Sequence, residues 1–317
     1  MKNSFRLDWK IQLLDKILSF FKPLEKMSLE ELRAISEKPI PPLLERILAG
    51  KQIALAEVEQ QTINGRHGNI PIRLYYPSDQ THLPLILFFH GGGWVYGNLQ
   101  THDRMCRRIA RDTTAIVLAV NYRLAPFSKY PIALEDCYDA LLWAVENAAD
   151  LRADPTKLMV MGDSAGGNLA TAVCLMARDQ EQVAIAHQIL IYPVTSGKLD
   201  QPSVDQYGSA PVLTKDRMQC FIQHYARNPA DIPQPYFSPL LAADVSRLPP
   251  ALIITCEYDL LHDQAQMYAQ RLQAAGTSVM LVDYPGMVHG FLSFPGFCRA
   301  ALPAFHKIAS YVKSVTG

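Results

Sequence analysis

Up to about residue 50, apolar residues recur at helical spacing, with breaks at Pro23 and at Pro39-Ile40-Pro41-Pro42. From about residue 57 the period shortens. Two stretches, 57–63 and 70–76, flank a turn containing Asn64-Gly65 and Gly68-Asn69, the pattern of a hairpin. Short apolar runs follow at 84–89, 115–120, 157–161, 187–192, 251–256 and 279–284. Helical patterns lie among them at 102–111, 132–147, 165–178, 263–275 and 299–314. Strands alternating with helices imply an α/β fold whose mostly parallel sheet is covered on both faces.

One stretch interrupts the alternation. Residues 196–249 contain no core strand, but one amphipathic helix with Met218, Phe221, Ile222 and Tyr225 on one face. A series of prolines follows, Pro229, Pro233, Pro235, Pro239, Pro249 and Pro250. A long insertion in a regular α/β array is usually a lid or a specificity element. This one leaves from the edge of the sheet that carries the chemistry described below.

The N-terminus is amphipathic. Phe5, Trp9, Leu13, Ile17 and Phe20 recur at helical spacing, widened by Leu14, Leu18 and Phe21, with Lys2, Arg6, Lys10 and Lys16 interspersed. Charges interrupt the apolar stretch and no small-residue cleavage site follows, so it does not read as a signal peptide. The expectation is that Phe5, Trp9, Leu13 and Ile17 bury against the helix at 214–226 and roof the site. The alternative is contact with a membrane surface through this helix.

Composition narrows the field. The 317 residues suffice for one large α/β domain with an elaboration. Thirty basic and thirty acidic side chains balance, and no basic stripe suggests nucleic acid. No apolar run approaches a bilayer span. The six cysteines, Cys106, Cys137, Cys174, Cys220, Cys256 and Cys298, show no metal-ligand spacing. Several lie within apolar runs and read as buried small hydrophobes, which suits a reducing, cytoplasmic setting.

The candidate chemistry sits where apolar runs end. Ser164, in Gly162-Asp163-Ser164-Ala165-Gly166-Gly167, follows one run and opens a helix. Small neighbours let a strand turn sharply into a helix and project the serine above the sheet. The serine needs a base, and the base needs an orienting acid. His289 lies just after the last strand, whereas His306 falls inside the terminal helix. After the run at 251–256, Glu257, Asp259 and Asp263 are available. Asp259 is chosen as the acid. Asp263 sits where a carboxylate caps a helix, and Glu257 is placed to brace the loop.

The segment His90-Gly91-Gly92-Gly93-Trp94 supplies backbone donors for an oxyanion. The expected donors are the N–H groups of Gly92, Gly93 and Ala165, with His90 as a brace. Trp94 and Tyr96, beside the glycines, are expected to shape the substrate pocket. None of these steps needs a metal or an organic cofactor. The chemistry is acyl transfer on a small-molecule ester, with oligomeric state left open between monomer and dimer.

Several motifs together resemble the hormone-sensitive-lipase family of esterases, most of all its bacterial acetyl-esterase-like and carboxylesterase branch. They are HGGGW at 90–94, Gly97-Asn98 with Thr101-His102-Asp103-Arg104, Tyr122-Arg123-Leu124-Ala125-Pro126, GDSAGGN at 162–168, Glu257-Tyr258-Asp259 and His289-Gly290-Phe291. The resemblance implies an α/β-hydrolase core of eight strands with a helical cap, and the triad Ser164, Asp259 and His289. The cap would comprise residues 1–50 and 196–246, and the core residues 51–195 and 247–317. It implies a serine carboxylesterase for short- to medium-chain esters. The alternatives are an amidase or peptidase on the same core, or a non-catalytic ligand-binding relative. Family members usually carry an acidic residue where this chain has Phe127, and often Asp where it has Asn121.

Overall fold

The computed structural model describes residues 6–37 and 41–317. Its centre is an eight-stranded sheet in the order β1-β2-β4-β3-β5-β6-β7-β8. The strands are β1 Glu57–Gly65, β2 Gly68–Tyr76, β3 Leu83–Phe89, β4 Ile116–Val120, β5 Ala153–Asp163, β6 His187–Ile191, β7 Ala251–Tyr258 and β8 Val279–Val288. β1 and β2 form the hairpin, closing with Gly65 opposite Gly68, and β2 runs antiparallel to β4. Every other pairing is parallel. The mostly parallel α/β sheet inferred from the apolar runs is therefore present.

All seven residues of β3 are buried. Leu85, Leu87 and Phe89 join the core on one face of the sheet, while Ile86 and Phe88 join the core on the other. A strand covered on both sides has no polar face to display, which is why its sequence does not alternate. The first core includes residues of α5 Ile132–Glu146, α6 Ala165–Gln180, α8 Lys215–Tyr225 and α9 His262–Ala274. The second includes residues of α1 Trp9–Ser19, α4 Asp103–Thr113 and α10 Ala301–Thr316. The short helices α2 Leu29–Glu37, α3 Pro42–Ala49 and α7 Pro202–Tyr207 complete the set. Five of the six cysteines are buried, and all six are free thiols. Among the described residues no helix is long and apolar enough to cross a membrane.

The 196–249 stretch is held by buried side chains. Asn168, on α6, donates to the carbonyls of Val194 and Phe237 at 3.1 and 3.0 Å. Gln264, on α9, accepts from the Thr195 and Ser196 amides at 2.6 and 2.8 Å. The expected apolar face of α8 is buried: Met218, Phe221, Ile222 and Tyr225 all pack into the first core.

The N-terminal expectation needs correction. Trp9 is 67 % exposed and Leu13 43 %, and Phe5 lies outside the described residues. The buried side of α1 is Ile11 and Leu14, with Leu7 and Leu18 packed beside them, in the core shared with α4 and α10. The reason is helical pitch. A strict four-residue spacing drifts by about 40° at each step, whereas 7, 11, 14, 18 keeps to one stripe. What reaches α8 is instead the turn Leu24–Lys26, where Glu25 pairs with Arg217 at 3.2 Å. Leu14→Ala should therefore cost about 2–4 kcal/mol of stability. Trp9→Ala should change it by less than about 0.5 kcal/mol. Urea unfolding of the two variants measures both.

Candidate active site

β5 ends at Asp163 and α6 begins at Ala165, so Ser164 alone makes the turn between them. Its backbone has φ +55° and ψ −118°, a sparsely populated region for a residue with a side chain. The surroundings enforce it. A Cβ on Gly162 would lie 2.2 Å from the Gly166 carbonyl oxygen, and one on Gly166 would lie 1.9 Å from that of Phe89. The two glycines thus allow β3, β5 and α6 to close on the turn.

Ser164 Oγ lies 2.8 Å from His289 Nε2, and His289 Nδ1 lies 2.7 Å from Asp259 Oδ2. The carboxylate can only accept, so Nδ1 carries the proton and Nε2 is left as an acceptor for the serine hydroxyl. Asp259 and His289 are both buried, and Asp259 Oδ1 accepts the Leu261 N–H at 2.9 Å. Asp259 stands just beyond β7, which runs on to Tyr258, and His289 just beyond β8, which runs on to Val288. Glu257 Oε2 accepts the Gly286 N–H at 2.7 Å, so it braces the path of β8 into the His289 turn. Asp263 is directed elsewhere. Its Oδ2 accepts the Ser203 N–H at 2.8 Å at the start of α7. His306 is exposed on α10.

The 90–97 loop closes the other side. Gly92 and Tyr96 line a cavity of about 280 Å3 that also exposes Ser164 and His289. The Gly92 carbonyl accepts from the Val95 and Tyr96 amides, both at 3.1 Å. Among the described residues, the Gly92 and Gly93 amides donate to no other backbone group. Gly93 packs against the Phe221 ring of α8. Ala165 is buried at the head of α6, where helix amides favour developing negative charge.

Trp94 departs from its expected place. It is fully buried and stacks on Tyr225 at 4.5 Å, with Phe237 beside it. It therefore joins the loop to the insertion instead of lining the cavity. Its backbone φ is +60°. The loop at 121–131 is braced without an acid at 121 or 127. Arg123 N–H donates to Asp136 Oδ2 at 2.9 Å, its guanidinium bonds the same buried carboxylate, and Tyr122 Oη–H donates to the His90 carbonyl at 2.6 Å.

Several cavity residues were not legible in the pattern. Tyr192, just past β6, packs its ring 4.8 Å from that of His289. Ile35, Glu45 and Leu48 roof the cavity from α2 and α3. Glu45 forms an ion pair with Arg104 of α4 at 3.0 Å, tying the roof to the core. His102 and Asp163 belong to motifs quoted above but carried no assigned role.

Residues 86–293 match a family model described as the α/β-hydrolase fold. The chain is 41 % identical over 254 residues to a carboxylesterase, NlhH, of Mycobacterium tuberculosis, covering 78 % of this chain and 79 % of that one. It is 41 % identical over 251 residues to an ethyl acetate hydrolase of Pseudomonas putida, with the same coverage. Its fold is similar to the solved esterase of Pyrobaculum calidifontis, with a TM-score of 0.87 and 39 % identity, covering 96 % of this chain and 98 % of that one.

The two carboxylates differ in what they touch, and the difference is measurable. Asp259→Asn should lower kcat about 10⁴-fold, because an amide donating toward His289 leaves it in the wrong tautomer. Asp263→Asn should leave kcat within about threefold, because no oxygen of Asp263 reaches His289. Steady-state kinetics on any soluble ester checks the ranking.

Proposed function

The chain belongs to the hormone-sensitive-lipase-like family of α/β-hydrolases and is a carboxylic ester hydrolase, and on that premise we propose that it cleaves short- to medium-chain esters through an acyl-enzyme on Ser164. The observation that carries this reading is the unbroken chain Asp259–His289–Ser164 opening into the 280 Å3 cavity.

In the first half of the reaction Ser164 Oγ attacks the ester carbonyl and its proton passes to His289 Nε2. The charge formed on the carbonyl oxygen is met by the amides of Gly92, Gly93 and Ala165. Each such donor is worth about 3–4 kcal/mol to the transition state. Asp259 holds the imidazolium in place. As the tetrahedral intermediate collapses, the C–O bond to the alcohol breaks and His289 returns its proton to the leaving oxygen. In the second half a water takes the place of the alcohol. His289 accepts a proton from the water as its oxygen attacks the acyl carbon, and returns that proton to Ser164 Oγ as the acyl C–O bond breaks and the acid leaves.

Cavity size sets the proposed preference. At about 30 Å3 for each small group, 280 Å3 holds roughly ten non-hydrogen atoms. Tyr96, Leu48 and Phe294 close its walls with apolar surface, which favours the hydrocarbon part of an ester.

The test is a panel of p-nitrophenyl esters from acetate to palmitate. The expected result is a kcat/KM maximum at or below the octanoate, a steep fall beyond it, and loss of at least about 10³-fold for Ser164→Ala. A maximum at palmitate would overturn the size argument, and an active Ser164→Ala would overturn the nucleophile.

A further inference from the structure

Beneath the oxyanion loop lies a charged pair that bond cleavage does not use. Asp163, the residue before Ser164, is buried, and its Oδ1 accepts the Gly91 N–H at 2.8 Å. That bond ties the loop carrying Gly92 and Gly93 directly to the nucleophile turn. An ionised carboxylate buried this deeply needs a counter-charge.

Two imidazoles stand close enough to provide one. His90 is excluded. Burial, with repulsion from His102, pushes its pKa down to about 3, so its ring is neutral near neutral pH. It serves as a stacking brace, with its ring 4.2 Å from that of Tyr122. His102 fits the requirement. Its Nε2 lies 3.4 Å from Asp163 Oδ1, and its Nδ1 lies 2.9 Å from Thr101 Oγ1.

The hydrogen bonds around Thr101 point to the charged form. Its hydroxyl donates its one proton to the Asn98 carbonyl at 2.9 Å and accepts the Asn98 N–H at 3.0 Å. Toward His102 it can therefore only accept. The Asp163 carboxylate is likewise an acceptor. With the Thr101 proton on the Asn98 carbonyl, both ring nitrogens of His102 face acceptors, the arrangement of an imidazolium. The acid's own balance agrees. Burial pushes the Asp163 carboxyl up, but attraction to His102 and the Gly91 N–H outweigh it and hold the group below its ordinary value.

We propose that His102 is a positioning residue for the oxyanion hole: its positive charge neutralises Asp163, which then holds Gly91, and with it Gly92 and Gly93, at the distance from Ser164 that the transition state requires. His102 borders the cavity but acts through Asp163 and Gly91. The inference rests on the assignment of the Gly92 and Gly93 amides as oxyanion donors.

A double-mutant cycle tests it. His102→Gln removes the charge, leaving Asp163 buried without its partner. The expected loss is at least about tenfold in kcat, with KM changed less than about twofold, because the contact matters only once the oxyanion forms. Asp163→Asn keeps an acceptor for Gly91 without a charge, so its loss should be smaller. In that background His102→Gln should alter kcat by less than about twofold, since no carboxylate remains to neutralise.

Multiplying losses in the double variant would overturn the proposal. So would a His102→Gln enzyme with wild-type kcat, or one impaired only in KM. If His102→Gln alone does not fold, as read by circular dichroism and thermal melting, the Asp163→Asn background supplies the test. There the double variant must fold and turn over like Asp163→Asn, and failure to do so overturns the pairing. Ser164→Ala in the same assay separates the two levels. If it is inactive while His102→Gln behaves as wild type, only the positioning role falls. If it is active, the site assignment itself falls.

Discussion

Strand β5 can pass into helix α6 only because Gly162 and Gly166, on either side of the turn, carry no side chain. Ser164 occupies a conformation that costs an ordinary residue about 1–3 kcal/mol. Three backbone bonds hold it there: its N–H donates to the Ile191 carbonyl at 2.9 Å, and its carbonyl accepts from Asn168 and Val194 at 3.1 and 3.2 Å. The turn therefore depends on β6 on one side and on α6 in front. Gly162 and Gly166 keep the carbonyls of Phe89 and Gly166 close enough to enclose it. The strain is stored at the residue whose hydroxyl must stand clear of the sheet, and the core around it supplies the restraint.

The parallel strands follow from the same requirement. β3, β5, β6, β7 and β8 all run in one direction, so their C-terminal ends share one edge. The 90–97 loop, Ser164, Asp259 and His289 each leave from that edge. Residues separated by as many as 125 positions thus come within one hydrogen bond of each other. The insertion after β6 leaves from the same edge and returns over it. Asn168 and Gln264, both buried polar side chains, hold it by bonding its backbone. Removing either would leave buried carbonyls or amides unsatisfied.

Hydrogen bonding of buried charge links the two halves of the site. The Gly91 amide meets Asp163 across the gap between β3 and β5, and His102, at the start of the fourth helix, lies 3.4 Å from the same carboxylate. Trp94, stacked on Tyr225, fixes the far side of the same loop to the insertion. The loop is thereby held from below by charge and from above by aromatic packing.

The strands were legible because a buried parallel strand must be apolar throughout, and every apolar run from 84 onward became a strand of the sheet, the last of them, β8, at its part-exposed edge. The candidate site was legible because turns at strand ends demand glycine, which singles out 90–94 and 162–167 in the chain. His289 and Asp259 stood out by their place after the final two strands, and the structure brings both to Ser164. Side-chain direction was a different matter. Trp94 adjoins Gly91, Gly92 and Gly93 in sequence, yet its side chain stacks on Tyr225 of the insertion. Trp9 and Leu13 belong to a plausible apolar stripe, yet the nearly opposite face of the helix buries Ile11 and Leu14 in their place. The roof formed by Ile35, Glu45 and Leu48, and the pairing of His102 with Asp163, join segments that nothing local relates. Periodicity and backbone sterics act within a few residues, and those the sequence determines by itself. Which face turns inward, and which charge finds which partner, depends on packing between distant segments, and only the tertiary structure decides it.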